Sequence, residues 1–496
     1  MSWNAGYVTD VAYTTGYYPE QSPYHLALCC LLGNVTPSFM RRADRLSYLE
    51  LGCGRGFGAL CVAASNPDWQ VVGIDFMPAH VEEARELADR AGIGNVRFIE
   101  ADIATLDPQT LPEVDVATAH GVWSWVADPV RAGITRILAE RMRPGAVLHL
   151  SYNALPAWQG ALGFQRLLHD AGHLLGGRSD RQAANAVATV KALAETGAVH
   201  LDHTPLVKTL LHDVPLMPPE YLAHEYMNAA WRPCFHADVA NALASAKLDY
   251  VASANVTENF PSLMLTPQQR AVCDGIADPT LRELAKDICL SRGLRHDVYV
   301  RGPRRISDAT RDAALRDLVV TLAQPVEAFS YEAKIPAGTA SLERSFYEPV
   351  VTALGDGPQK IGTLLAESVA KAKQGNPAEL VGMLVGTAQA MLVARPDAGL
   401  GEAATRLNDA VAGRLLAGQQ ARAGALAGMR LGAGLRCSSE DNVTTSLLRR
   451  FGPDSTPETW ADHLQLPDGA DRRSFIEVAG NARSRQISVW QHAAVV

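Results

Sequence analysis

Two carboxylates and the glycines between them are the residues of this chain most ready to do chemistry. In YLELGCGRGFGALCVAASNPDWQVVGID, from Tyr48 to Asp75, Glu50 interrupts a short apolar stretch, and Gly52, Gly54, Gly56 and Gly58 follow at alternate positions. Glycines there let the backbone turn sharply and approach a ligand closely. Asp75 closes the segment, at a position where an acid bonds a ribose diol. The elements that must hold these groups are short. Tyr48–Leu51 reads as a strand, Phe57–Ser65 as an Ala-rich helix stopped by Asn66-Pro67, and Trp69–Ile74 as a second strand. The arrangement predicts a site for a nucleoside-containing cofactor.

Two cofactors answer to that pattern. Gly54-x-Gly56-x-x-Ala59 satisfies the dinucleotide fingerprint and would suit NAD. Glu50-x-Gly52-x-Gly54-x-Gly56 instead resembles motif I of the class I S-adenosylmethionine (SAM) methyltransferases. A carboxylate beside the turn repels a pyrophosphate but attracts an ammonium and a sulfonium, which favours SAM. Val96–Glu100 reads as a third strand followed by Ala101-Asp102-Ile103, where the family resembled places an acid against the adenine amino group. Val114–Ala119 is a fourth strand, and Arg143-Pro144-Gly145 resembles the family's turn ahead of strand five, Ala146–Ser151. The resemblance implies an α/β, Rossmann-like class I methyltransferase sheet of seven strands. It also implies a cofactor set of Tyr18, Glu50, Gly52, Cys53, Gly54, Gly56, Asp75, Phe76, Met77, Asp102, Ile103 and His120.

Composition narrows the partners. The 496 residues carry a formal net charge of −8 and no long Lys/Arg run, which argues against a bulk nucleic-acid substrate. The eight cysteines contain no Cys-x-x-Cys, so spacing indicates no metal site, and scattered reduced thiols suit a cytoplasmic protein. The N-terminus has no signal-peptide pattern, and the apolar run Leu26–Leu32 is too short to enter a bilayer.

Class I folds end with a helix, a sixth strand and an antiparallel seventh, and these do not follow Ser151 directly. Asp238–Leu248 reads as the helix, Asp249–Ala254 as strand six and Asp297–Arg301 as strand seven, with helical material from Trp158 to His224 inserted. Tyr221-Leu-x-His224-Glu225-Tyr226-x-Asn228 and Arg295-His-Asp297-Val-Tyr-Val-Arg301-Gly302 look like signatures of the bacterial methyltransferase regulatory domain. Tyr18-Pro19-Glu20-x-x-Pro23 and His120-Gly-Val-Trp-Ser-Trp125 look like the same subgroup, which includes lysine methyltransferases of bacterial outer-membrane proteins. The expected division is an N-terminal lid over 1–45, a SAM-binding core over 46–156, a helical insertion with regulatory domain over 157–303 that returns the last two strands, and an accessory module over 304–496. In that module Ala328–Ile335 reads as a strand. Helices at Phe346–Ala353, Gln359–Lys373 and Pro377–Ala390 before Leu392–Pro396 hint at a winged-helix-like arrangement. Ala412–Leu435 reads as a packed helix or a linker.

In-line methyl transfer needs a nucleophile in its lone-pair form about 3 Å from the methyl carbon. A lysine amine is neutral in only about one part in two to three thousand at pH 7, a penalty of roughly 4–5 kcal/mol unless the pocket lowers its pKa or takes its proton. His120, at the end of strand four, is the candidate base, with a purely hydrogen-bonding role as the alternative. Trp123 and Trp125 share one face if the chain is extended there, and would wall a lysine channel or serve as core aromatics. Tyr152 and Asn153 follow strand five on the acceptor side; His224-Glu225 reads as a proton relay or a structural seam. The protein is expected to methylate a protein substrate on lysine. A small-molecule acceptor and a SAM-sensing regulator without turnover are the alternatives.

Overall fold

A parallel sheet with one reversed strand organises the chain. The computed structural model describes residues 6–201, 203–369, 375–418, 424–466 and 469–496. The sheet contains β1 (Ser47–Leu51), β2 (Gln70–Asp75), β3 (Val96–Glu100), β4 (Val114–Ala119), β5 (Met142–Asn153), β6 (Leu248–Ser253) and β7 (Leu294–Arg301). Their order is β3-β2-β1-β4-β5-β7-β6, with β7 antiparallel to both neighbours, the reversal expected of a class I sheet. The inner strands β1 and β4 are buried at every position, so they show no apolar–polar alternation, and their few polar residues, Ser47, Glu50, Asp115 and Thr118, are buried too.

Helices α1 (Pro23–Leu32), α2 (Phe57–Ser65), α3 (Pro78–Ala91) and α4 (Asp128–Arg141) belong to this sheet. The inserted helices are α5 (Leu162–Leu175), α6 (Ser179–Glu195), α7 (Pro205–Asp213) and α8 (Pro219–Tyr226), which pack on a core of their own around Phe164, Leu168, Ala186 and Tyr226. Then come α9 (His236–Ala244), α10 (Pro261–Met264), α11 (Pro267–Asp274) and α12 (Pro279–Cys289). Strand β5 starts earlier than expected, because Met142 already pairs with Val114. The Arg-Pro-Gly segment lies within the strand, across a register shift between Val114 and Val116.

Beyond α13 (Asp308–Arg316), β8 (Val319–Leu322) is followed by the hairpin β9 (Glu332–Ile335) and β10 (Gly338–Ser341). The helices α14 (Arg344–Gly355), α15 (Ile361–Val369) and α16 (Pro377–Gly386) follow. With them, β11 (Gln359–Lys360) and β12 (Ala390–Val393) complete a three-stranded sheet of order β11-β8-β12. The helix expected from Gln359 therefore begins two residues later, after a strand pair with β8, and its residues 370–373 lie outside the described residues. The Ala/Gly/Leu-rich stretch 412–435 is neither one helix nor a linker. It divides into the end of α17 (Glu402–Leu416) and the hairpin β13 (Ala425–Gly428) and β14 (Ala433–Arg436), with 419–423 outside the described residues. Its small residues are explained by close packing. A Cβ on Gly434 would meet Tyr17 at 2.8 Å, and Ser65 and Asn66, at the end of α2, donate hydrogen bonds to the carbonyls of Ala433 and Gly432. α18 (Ser439–Phe451), α19 (Pro457–His463) and α20 (Ala470–His492) close the chain around Trp460 and Trp490. Among the described residues, no helix is long and apolar enough to cross a membrane.

Candidate functional site

The carboxyl ends of β1, β2 and β4 open onto a cavity of about 1430 Å³, counting its mouth. Gly52 turns out of β1 at φ 73°, and a Cβ there would stand 2.4 Å from Val122 Cγ2. Its neighbour Gly54 donates its N–H to Asp75 Oδ2 at 2.7 Å, so the acid that ends β2 also fixes the turn that leaves β1. Asp75 Oδ1 accepts from Met77 N at 2.9 Å and lies 3.3 Å from His80 Nδ1. A carboxylate has about four lone-pair positions, which leaves Asp75 room for one further donor.

Glu50 is almost fully buried, and its Oε2 has no hydrogen-bond partner. Burial pushes its carboxyl up to about 8, against hydrogen bonding from the Ala59 backbone and Gln21. An orphaned acid facing a cavity fits a ligand with an ammonium or sulfonium, and does not fit a pyrophosphate.

Of the residues expected to bind cofactor, Tyr18, Glu50, Gly52, Cys53, Gly54, Asp75, Phe76, Met77, Asp102, Ile103 and His120 all line this cavity. Gly56 does not. It caps α2 at φ 72°, and a Cβ there would strike Ala84 and Phe98 at 2.6 Å, so its role is to let α2 sit close to α3 and β3. Sequence reasoning missed Tyr7, Gln21 and His80 as lining residues. Nothing in their spacing sets them apart, because the N-terminal segment reaches the cavity only by folding back across it: Tyr13 N donates to His80 Nε2 at 3.2 Å. Tyr13 and Tyr18 line the cavity, whereas Tyr17 turns away and is buried.

A second cavity of about 840 Å³ adjoins the first through the wall formed by Tyr18, His120 and Trp125. It is further lined by Tyr13, Asn153, Tyr221, Glu225 and His296. Glu225, half-buried on α8, is pushed up to about 7 by burial, tempered by the side chains of Asn153 and Trp125. His224 lines this cavity as well, and its Nε2 bonds the Val11 carbonyl at 2.9 Å, pinning the N-terminal segment; the pair thus combines a structural histidine with a cavity acid. The Tyr18 ring lies on His120 at 3.8 Å between centroids. Burial and the neighbouring His296 push the His120 imidazole down to about 3, so it is neutral and a poor proton acceptor at neutral pH.

Four expected acceptor-side residues divide by geometry. Trp125 and Asn153 line the second cavity. Trp123 does not, because residues after β4 turn rather than extend: Trp125 N donates to the Val122 carbonyl, while Trp123 is buried and its carbonyl accepts from Arg131 Nε. Tyr152 is likewise excluded. Successive residues of a strand face opposite ways, so Ser151 and Asn153 face the site while Tyr152 faces the core. There its hydroxyl donates to Asp297 Oδ2 at 2.6 Å. That carboxylate belongs to a buried cluster in which Arg295 meets Asp297 at 2.9 Å, Asp287 at 2.7 Å and Glu283 at 2.9 Å. Burial alone would raise the Asp297 pKa, but Arg295 and His236 outweigh it and hold the carboxyl well below the usual range.

The chain matches two family models: a methyltransferase domain over residues 43–213 and a predicted methyltransferase regulatory domain over 218–301. An uncharacterised protein of Synechocystis sp. is 31% identical over 371 residues, covering 75% of this chain and 73% of that protein. A trans-aconitate 2-methyltransferase of Methylobacterium radiotolerans is 37% identical over 106 residues, 21% of this chain and 37% of that enzyme. The solved structure of PKMT2 from Rickettsia typhi in complex with AdoHcy shares the fold across 97% of this chain and 99% of that one, with a TM-score of 0.69 and 15% identity.

Proposed function

The chain belongs to the class I SAM-dependent methyltransferases that carry a methyltransferase regulatory domain, and from that premise we propose that it N-methylates lysine side chains of a protein substrate. The observation that carries the proposal is Glu225, an acid at the wall of a cavity that adjoins the cofactor cavity and whose lining includes the aromatics Trp125, Tyr13, Tyr18 and Tyr221. Aromatic faces attract an ammonium group, and a carboxylate raised to about 7 is matched to receive its proton at neutral pH.

When bound, SAM supplies an electrophilic methyl group on a sulfonium. Glu50 would face its cationic part, Asp75 would accept from a ribose hydroxyl through its remaining lone pair, and Asp102 would meet the base. Tyr18 and neutral His120 form the partition between the cavities, where donor and acceptor would meet. Asn153 would orient the amine from the pleat of β5, and Glu225 would take the proton as the amine becomes a nucleophile.

A second reading has its own support. A compact amine would suit the same aromatic and acidic walls. The test is transfer of labelled methyl from SAM to lysine-bearing protein and, separately, to free amines. Label in protein hydrolysed to methyl-lysine supports the proposal. Label only in free amines replaces it with the second reading, and retained SAM binding without label in either makes the protein a sensor.

A further inference from the structure

Three histidines far apart in sequence meet on one face of the sheet. His120 follows β4, His149 lies within β5 and His296 within β7, and β5 is the neighbour of both other strands. One ring nitrogen from each falls within 4.8 Å of the other two. The ring centroids form a near-equilateral triangle of 5.8, 5.4 and 5.6 Å, and His149 Nε2 stands 3.4 Å from His296 Nδ1. Three imidazoles bound to one ion at about 2.0–2.1 Å place their nitrogens about 3.3–3.6 Å apart and their centroids about 5.2–5.5 Å apart. The observed ring triangle is therefore close in size to that around a shared ion, and the His149–His296 nitrogen pair already has the required spacing.

The hydrogen bonding points the same way. His120 Nδ1 is buried without a partner, although buried polar atoms are ordinarily satisfied. Glu20, which lines the second cavity with His120 and His296, also has a buried Oε2 with no partner. A carboxylate beside three neutral imidazoles supplies charge that a divalent ion requires.

We propose that His120, His149 and His296 bind one divalent transition-metal ion of the zinc class, with Glu20 as the adjacent carboxylate. Imidazole ligands select such ions over Mg²⁺ and Ca²⁺. The ion ties the ends of β4, β5 and β7 together at the wall of the acceptor cavity. If the lysine reading above holds, its charge also favours the free amine over the ammonium there; binding of the ion does not depend on that reading.

The test uses the full chain, stripped with a chelator and titrated with Zn²⁺ or Co²⁺ alone. The expected result is about one equivalent of Zn²⁺ per chain, visible d–d bands with Co²⁺, and Zn-edge absorption showing about three nitrogen scatterers near 2.0 Å. His149→Gln, which lines neither cavity, should abolish the equivalent and the bands, and His296→Gln serves if the first variant fails to fold. Wild-type protein without stoichiometric binding or bands overturns the proposal. So does a sulfur-rich coordination shell, or a folded variant that binds as tightly as wild type. Each of these readouts is independent of methyl transfer, so they separate failure of the ion from failure of the acceptor assignment.

Discussion

The two cavities share Tyr18, His120 and Trp125 as a wall but are built by different means. The first is shaped by backbone: a glycine turn, the ends of three parallel strands and a carboxylate bonded to main-chain N–H groups. The second is shaped by side chains from β5, β7, α8 and the N-terminal segment, each aimed by the pleat or the helix face it sits on. A backbone-built site is held locally and should lose ligand affinity when one acid is removed. A site built from side chains of distant elements depends on the scaffold that aligns them, here the buried cluster around Arg295.

The largest effect should come from breaking that scaffold. Arg295→Ala removes the guanidinium shared by three buried carboxylates, leaving Asp297 without one while Asp287 and Glu283 keep Arg292 and Lys286, and should cost about 3–5 kcal/mol in denaturant unfolding. A loss under about 1 kcal/mol would show that the second cavity does not lean on the cluster. Next, Asp75→Ala should weaken S-adenosylhomocysteine binding by about 30- to 150-fold in calorimetry, the worth of about 2–3 kcal/mol for a charged hydrogen-bonding group. The complementary change, Glu225→Gln, should lower kcat about 10²-fold while leaving that affinity unchanged. Equal damage to both would erase the distinction between the cavities. Wild-type kcat should also rise with pH through about 7 as Glu225 deprotonates, and Glu225→Gln should flatten this rise.

The smallest effect is one of linkage. Glu50 is raised from 4.5 to about 8 in the folded protein, so the folded state holds a proton that the unfolded state releases between those values. Its contribution to stability is therefore full below pH 4.5 and lost as pH rises through about 8. Without cofactor, the Tm of wild type should fall relative to Glu50→Gln between pH 5 and 8.5. A parallel pair of curves would show that the acid is not protonated in the folded chain.

The same contrast decided what could be read from the sequence. Glu50, Gly52, Gly54 and Asp75 were legible because a turn built from local backbone leaves its requirements at fixed spacing; the first five strands followed from apolar runs between turn residues, and the last two from the ending that the class I resemblance implies. Tyr152 and Trp123 were misplaced for a local reason: a pleat reverses each residue's side, and the turn after β4 removes the alternation that an extended chain would give. Gly56 sits in the motif for packing rather than for ligand. Glu225 and His296 could be noticed but not located, since only the antiparallel return of β7 beside β5 sets Ser151 opposite His296. The hairpin over 425–436 was hidden by its own composition, because small residues chosen for close contact look like those of a linker.

The close packing of Gly434 against Tyr17 has a consequence in time. Gly434 N donates to the Tyr17 hydroxyl at 2.8 Å, across 417 residues of chain, in the segment whose neighbours Tyr13 and Tyr18 rim both cavities. During synthesis, at about 5–20 residues per second, Tyr17 leaves the ribosome roughly 20–80 s before its partner exists. For that interval the nascent chain can form its sheet and hold Val11 and Tyr13 through His224 and His80, but the anchor at Tyr17 is set only when Gly434 arrives.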